Sequence, residues 1–557
     1  MDTQRLFLFL IFSFSLVLVW DGWQRYQHPE QYVQQGTASN ETLPKPQVAP
    51  LAGVVPAAIP PAGSAQATIA QQPTLHAAAK TIHVKTDTIE AEISTIGGDI
   101  SRLALLKHPD GQDKNKPLVL FHRGADTHNY AAQSGLLGDG LPNHNSPFVA
   151  EQEQYVLSGN TDQLQVRLVA EGSSVLKVTK VITFHRGSYL VDVGYELENT
   201  GAQAATASSY FQLIRDSAAL AGSSAFLPTY VGAAVYTDKE KFHKVEFSAI
   251  EKGKVEYPKQ ADDGWIGILQ HYFVAAWLPK EKTGREYFTR KLDGDSYAVG
   301  VILPAQAIAP GQKVLTGTTL YVGPAQTNLD KIAPGLGLTV DYGWLTVISR
   351  PLFWIMSLFN DWTHNWGIAI ILLTVLIKLL FFPLSAASYR SMAKMRVVAP
   401  KLEKIKEQYG NDREQLNRAM MDLYKTEKIN PLGGCLPVLI QIPVFIALYW
   451  AILASVEMRY APFFGWITDL SAVDPYYILP LIMGSSMIIQ MRLNPKPADP
   501  MQAKLMQIMP IAFSAIFFFF PAGLVLYSIV NNILSIGQQW YITKAAVDEN
   551  KGAAAKR

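Results

Sequence analysis

Lys378 is a charged residue inside a long apolar run, 372–382, where a charge is unusual. A charged side chain inside a membrane span costs about 2.5–3.5 kcal/mol on insertion scales and marks a functional site by default. The alternative is snorkelling. Lys378 is seven residues from Ser385, which is about 10 Å along a helix that rises ~1.5 Å per residue. The pattern alone leaves both interpretations open.

Other polar side chains lie in the neighbouring apolar stretches. Thr374 precedes Lys378 by four residues and therefore shares its helix face. The others are Gln441, Ser485, Ser486, Ser514, Asn531, Asn532, Ser535 and Gln538. Hydrogen bonding between helices would explain them without a further function. Together with Lys378 they would instead line a water-filled cavity open to the cytoplasm, which lowers the cost of moving a polar segment through the membrane.

The residue types argue against catalysis, metals and nucleotides. Cys435 is the single cysteine, the eleven histidines are scattered, and no Cys/His group has zinc-ligand spacing. No P-loop motif is present. We therefore predict no catalytic residue, no metal, no cofactor and no nucleotide. A carbohydrate-active enzyme is the second function class, although no pair of acidic residues has a spacing that singles it out as an acid and base.

The apolar stretches that must position these residues lie at the two ends of the chain. Of 557 residues, 17% are charged, against about 25% in soluble proteins. Residues 1–26 predict an uncleaved signal-anchor helix, and residues 27–80 a flexible linker rich in Pro, Ala and Gln. Five further spans are predicted at 366–384, 435–456, 476–491, 505–520 and 522–542. The fold class is therefore a polytopic α-helical membrane bundle of six spans.

Between these ends, residues 81–325 show short alternating runs separated by Gly, Asn and Asp turns, which predict a large all-β sandwich outside the membrane. A connector, 326–365, follows it. The apolar segment 344–359 is broken by Arg350-Pro351 and is predicted to lie in the outer interface. A small-molecule transporter is the third function class, but we see neither an internal repeat nor paired interrupted helices.

The loop 385–434 carries ten Lys/Arg against six Asp/Glu. This bias predicts a cytoplasmic loop. Both chain termini, including the tail 543–557, are then cytoplasmic, and the β domain is periplasmic. Helical periodicity on both sides of Gly410 predicts a hairpin, with Asp412 capping its second helix. The hairpin is either a solvated element near anionic lipid or a docking arm for the ribosome or translocation factors.

Six motifs make the chain similar to a known family. They are MDTQR at 1–5, LTVDYGW at 338–344, NPLGGCLP at 430–437, QIPVF at 441–445, DPYYILP at 474–480 and FPAGLVLY at 520–527. On these residues the chain resembles the YidC/Oxa/Alb family of membrane protein insertases, of the Gram-negative type. The resemblance spans the whole chain and is strongest over 338–540.

The resemblance implies a non-enzymatic insertase and chaperone of the bacterial inner membrane. It implies a mutarotase-like β-supersandwich and five helices around a hydrophilic groove open to cytoplasm and lipid. The implied partners are nascent membrane proteins, the Sec translocon, membrane lipids, and the ribosome and signal-recognition-particle receptor at the cytoplasmic loops. The implied groove residues are Lys378, Thr374, Gln441, Tyr527, Asn531 and Asn532. The implied substrate-contacting helix face consists of Phe445, Met483 and Ile516.

Two positions depart from the family pattern. Lys378 stands where the family usually has Arg, so the charge is retained but the bidentate fork is lost. This favours a diffuse positive field over a specific Arg–carboxylate pair. Ser528 stands where a second Tyr is common, so no role is carried over to residue 528.

Overall fold

A computed structural model describes residues 79–555 except 112, 125–128, 173–175, 219–229, 410–411, 428–435, 495–507, 509–510 and 513. The predicted anchor 1–26 and nearly all of the predicted linker 27–80 therefore lie outside the described residues. So do residues 505–507, 509–510 and 513 of the predicted fourth C-terminal stretch, 505–520. The final two residues of the predicted tail are also outside them.

The β domain contains two large sheets. The first has eleven strands, and β1 pairs with β7 in parallel while its other pairings are antiparallel. Its order is β14 (Gln260–Ala261), β17 (Arg285–Lys291), β18 (Ser296–Ile302), β11 (Ala205–Asp216), β5 (Tyr130–Leu137), β4 (Pro117–His122), β3 (Ile100–Pro109), β2 (Ile89–Ser94), β1 (Thr81–Lys85) and β7 (Gln154–Val156), with β19 (Gln306–Ile308) beside β11.

The second sheet has nine strands and is antiparallel. Its order is β13 (Lys241–Val245), β12 (Gly232–Thr237), β15 (Trp265–Gln270), β16 (Phe273–Leu278), β20 (Lys313–Pro324), β10 (Leu190–Asn199), β9 (Leu176–His185), β8 (Gln163–Ala170) and β6 (Phe148–Ala150). Buried and exposed side chains alternate strictly along β1, where Ile82 and Val84 are buried between exposed neighbours. The prediction of a large all-β domain is confirmed, with one short helix, α1 (Phe247–Glu251), among its described residues.

A buried polar network interrupts the apolar core of this domain. Asp99 and Lys180 are both almost inaccessible to solvent. Lys180 Nζ donates to the Gly97 carbonyl at 2.9 Å, and Gln133 Nε2 donates to Asp99 Oδ2 at 2.8 Å. Burial lowers the pKa of Lys180 to about 8, against the opposing effect of Asp99. Burial also raises the pKa of Asp99, and the charge of Lys180 is the largest effect that opposes this.

The helical region begins with α2 (Thr346–Thr363), the helix predicted at 344–359. It continues with α3 (Trp366–Leu380), α4 (Phe382–Tyr409), α5 (Arg413–Thr426), α6 (Leu436–Ala454), α7 (Ile478–Arg492) and α8 (Ala522–Ala555). The last helix runs beyond the predicted boundary at 542 into the predicted tail. Within the described ranges, no single helix is long and apolar enough to cross a membrane by itself, while α3 and α4 pass that test together as a pair bent by 66°.

The first predicted span, 366–384, ends earlier than its apolar pattern indicates. The helix stops at Leu380, and α4 begins at Phe382 in a new direction. Pro383 explains the break, because proline disfavours a helical residue before it and fits the first turn of a new helix. The helix predicted from 388 therefore begins within the apolar run itself.

The predicted hairpin is formed by α4 and α5, which pack against each other. Asp412 caps α5 through backbone bonds from Glu414 and Gln415, as predicted. Lys401 on α4 pairs with Glu427 beyond the end of α5 at 2.6 Å. Because this pair is largely exposed, it contributes little to the stability of the hairpin.

The β domain contacts the segment 455–471 between α6 and α7, which we call the docking loop. Its Arg459 guanidinium lies 4.9 Å from the ring of Tyr460 and 5.8 Å from that of Phe273 on β16. Tyr460 Oη donates to the Asp110 carbonyl of the β domain at 2.6 Å. His271 Nε2 lies 2.9 Å from the Leu453 carbonyl at the end of α6. These contacts join the β domain to the helical region.

We expect acid to loosen this docking contact. Burial, with Arg459 and then Lys107, lowers the pKa of His108 to about 4, while its Nε2 lies 3.1 Å from Tyr189 Oη. Burial also lowers the pKa of His271. An undocked histidine would titrate near pH 6.5, so the docked state is stabilised above that pH and loses stability as the pH falls toward 4.

Hydrogen exchange of the docking loop checks this expectation. Exchange should accelerate between pH 7 and pH 5, after correction for intrinsic rates. The double substitution His108→Gln, His271→Gln should flatten this pH dependence. His83→Gln, at an exposed histidine of the same domain, is the control and should leave it unchanged. The same acceleration in the double variant would contradict the assignment to these histidines.

Candidate functional site

The polar residues of α8 occupy two adjacent faces of the helix. Tyr527, Asn531 and Ser535 recur every four residues, which places them on one face. Asn532 and Gln539 are seven residues apart and share the neighbouring face. The helix packs against α3, α4, α6 and α7. It is therefore the element on which the predicted groove residues from different helices meet.

Lys378 on α3 reaches the first of these faces. Its Nζ donates to Ser535 Oγ at 2.7 Å, and that hydroxyl donates to the Asn531 carbonyl at 2.7 Å. The lysine is only partly buried. Its side chain is therefore directed across the bundle to α8.

Gln441 and Tyr527 form a second polar contact on the same face. Gln441 Nε2 on α6 donates to Tyr527 Oη, and Tyr527 is almost fully buried. The ring of Phe445, four residues after Gln441, lies 6.4 Å from that of Tyr527 and 6.2 Å from that of Phe517. The polar contact is thus bordered on one side by aromatic rings.

The second face of α8 contacts α7. Asn532 Nδ2 donates to Ser486 Oγ at 3.1 Å and lies 3.4 Å from Met483 Sδ. Gln539 Nε2 donates to the Leu493 carbonyl at 3.1 Å, just beyond the end of α7. These bonds hold α7 and α8 together, which is the ordinary role of polar residues between membrane helices.

The structure does not join every predicted residue to this group. Thr374 is buried, and its hydroxyl donates to the Ile370 carbonyl of its own helix at 2.7 Å. Of the predicted substrate-contacting face, Met483 is buried against Asn532 and Phe445 is partly buried. Ile516 is 46% exposed.

Two acceptors on α8 lack a hydrogen bond within the part of the chain that the structure describes. They are Asn531 Oδ1 and Gln538 Oε1, both buried at the atom. Leaving a buried polar atom unpaired costs about 1–3 kcal/mol. The pair of acceptors, with the ammonium of Lys378, therefore provides both hydrogen-bond acceptors and positive charge on one side of α8.

Sequence reasoning missed two of these partners. Ser535 was noted only as a polar residue in an apolar stretch, yet it is the acceptor for Lys378. Gln539 was not singled out. The four-residue spacing from Tyr527 through Asn531 was the available signal for Ser535. Among the described ranges, no group of three or more His, Cys, Asp or Glu residues could hold a metal ion.

Comparison with known proteins agrees with this architecture. Residues 81–355 match the family model described as the YidC periplasmic domain. Residues 358–550 match the one described as 60Kd inner membrane protein. A membrane protein insertase YidC from Nitrosospira multiformis is 54% identical, covering 98% of this chain and 97% of that relative. Its counterpart from Methylobacillus flagellatus is 52% identical and covers 100% of both chains.

Solved structures give weaker likenesses. One, described as an active YidC insertase with its first transmembrane domain resolved, covers 83% of this chain and 92% of that chain at 20% identity, with a TM-score of 0.39. A galactose mutarotase related enzyme from Lactobacillus acidophilus covers 43% of this chain and 97% of that chain at 10% identity, with a TM-score of 0.31. Neither score supports a functional argument.

The matches define an inner-membrane protein with a large periplasmic β domain. The chain belongs to the YidC family of membrane protein insertases. Membership of this non-enzymatic family confirms the predicted insertase function and sets aside the carbohydrate-active and transporter alternatives.

Proposed function

We propose that this chain inserts and helps fold inner-membrane proteins through a groove along the first face of α8. The contact between Lys378 and Ser535 carries the proposal, because it brings the charge to the helix face that also holds Tyr527 and Asn531. The groove receives the polar segment of a substrate. Lys378, Gln441, Tyr527 and Asn531 line it, and the two other predicted groove residues, Thr374 and Asn532, border it from α3 and from the second face of α8.

The groove works by replacing water. A polar segment that enters lipid leaves backbone groups unsatisfied, at several kcal/mol each. The unpaired acceptors Asn531 Oδ1 and Gln538 Oε1 offer partners for substrate N–H groups, and Lys378 attracts negative charge. Apolar parts of the substrate then leave along the face formed by Phe445, Met483 and Ile516. No nucleotide is consumed in this scheme.

The charge pattern supports the proposed topology, and the family resemblance suggests the partners. Both termini and the hairpin of α4 and α5 are cytoplasmic, where the positive-inside bias puts basic loops. The hairpin contacts anionic lipid, the ribosome and the signal-recognition-particle receptor through bases such as Arg390 and Lys404, which are exposed. The chain acts alone on small substrates and beside the Sec translocon on larger ones.

Reconstitution tests whether the chain suffices. The purified full-length protein is placed in liposomes, and a small single-span substrate is synthesised in their presence. We expect the translocated segment to become protected from added protease. Protein-free liposomes of the same lipid are the control. No protection, with the β domain shown to be folded by circular dichroism, would contradict insertion by this chain alone.

A further inference from the structure

A cavity lies where the β domain meets the start of α2. Its volume is about 270 Å³, and its lining includes Phe242, Lys244, Asp341, Tyr342, Thr346 and Arg350. Drug-sized ligands occupy pockets of about 300–1,000 Å³. This cavity is therefore just below the lower end of that range and has room for a small polar group.

The charged groups at the cavity come in two pairs of opposite sign. Lys244 Nζ lies 2.5 Å from Asp341 Oδ2, and an Arg350 nitrogen lies 3.0 Å from Asp330 Oδ2. All four side chains are between 33% and 43% exposed. Pairs this exposed contribute about 0–1 kcal/mol each, so a ligand can exchange with either partner at little cost.

An exposed apolar stripe continues from the cavity along α2. Val347, Trp354, Leu358 and Trp362 are 85%, 67%, 42% and 75% exposed. Their spacing of seven, four and four residues puts them on one helix face. Arg350 lies on that face between Val347 and Trp354, so it joins the cavity to the stripe. Exposed Trp residues are typical of the membrane–water interface.

The geometry points to a binding site for one phospholipid of the outer leaflet, with a phosphoethanolamine headgroup in this cavity. The phosphate contacts Arg350 and Lys244, the ammonium contacts Asp341, and an acyl chain lies along the stripe. The matched charges select this class. A purely anionic headgroup would face the Asp341 carboxylate, and a choline headgroup has no N–H to donate to it. This site is separate from the groove on α8.

Native mass spectrometry of the detergent-purified full chain tests the site. Phosphatidylethanolamine, phosphatidylcholine and phosphatidylglycerol with identical acyl chains are added separately. We expect one ethanolamine lipid to be retained about tenfold more strongly than either of the others. Lys244→Gln, Arg350→Gln together should abolish this preference. Lys239→Gln, Lys254→Gln, at exposed lysines of the same domain, is the matched control and should preserve it.

A second variant separates the acyl-chain contact from the charges. Trp354→Gln changes an exposed position and leaves both ion pairs intact, so the fold is retained while lipid retention falls. Soluble phosphoethanolamine distinguishes a lipid from a free headgroup and should not displace the bound lipid at equal concentration. Equal retention of all three lipids would overturn the proposal. So would displacement by the soluble headgroup, or an equal loss in the control variant.

Discussion

Lys378→Ala should reduce insertion at least about tenfold for substrates whose translocated segment is negatively charged, and should leave uncharged substrates unaffected. The size follows from losing one interaction with a charged group, about 1.5–3 kcal/mol. Lys378→Arg should retain insertion, because the groove uses the sign of the charge. Protease protection of paired substrates that differ only in the charge of this segment, in proteoliposomes, measures both effects.

Two variants show whether the charge itself matters. Ser535→Ala removes the hydroxyl that accepts from Lys378 and leaves the charge in place. We expect insertion to be largely retained. Leu379→Ala shortens an exposed neighbour on the same helix and controls for damage to α3. Equal insertion of every substrate by Lys378→Ala would return this lysine to the snorkelling interpretation.

The sequence predicts which polar residues belong to the groove better than it predicts which residues on other helices they contact. An isolated charge and several amides in apolar stretches are visible in the sequence, as Lys378, Gln441 and Asn532 show. Periodicity assigns a residue to a face of its own helix. It does not say which helix that face meets, because this depends on packing between segments far apart in the chain. The sequence therefore leaves the direction of the Lys378 side chain open, whereas the structure shows its ammonium bonded to Ser535 on α8.

The helix boundaries show a similar limit. The apolar run across Phe382 indicated one continuous span, because hydropathy does not register a change of helix direction. Pro383 was the local signal for the bend between α3 and α4. The outer helix α2 was predicted close to its observed bounds, although it contains Pro351. Pro351 is the sixth residue of α2, so it removes one intrahelical donor, and the helix nevertheless continues to Thr363.

In the β domain, alternation predicted strands but not the partners of the buried charges. Lys177 and Lys180 both lie on β9 but on opposite faces, because they are three residues apart, and Lys180 shares the inward face with Val178. The structure leaves Lys177 exposed and buries Lys180. Buried lysines occur only where a partner far along the chain offsets their desolvation. Asp99 is such a partner. It directly precedes β3 of the first sheet, whereas Lys180 lies on β9 of the second sheet, so their interaction depends on how the two sheets stack.

Lys180→Met should destabilise the β domain by about 3 kcal/mol. Removing one member of a buried charge pair leaves the other uncompensated. Asp99 would remain almost inaccessible to solvent, and among the described residues its one ion pair would be with the partly exposed Arg123, at 3.5 Å. Because multidomain proteins do not unfold in one step, the quantity to measure is the exchange-derived opening free energy of the β9 and β10 amides in the full-length protein.

The double variant Asp99→Asn, Lys180→Met isolates the charge effect. It removes both charges and should recover a large part of the lost stability, because replacing a buried pair by neutral groups is often close to neutral. Lys177→Met makes the same change at the exposed lysine of β9 and should alter the opening free energy by less than about 0.5 kcal/mol. If the double variant were as unstable as Lys180→Met alone, the loss would come from the packing of the lysine stem and the broken bond to Gly97. The uncompensated carboxylate would then not be its cause.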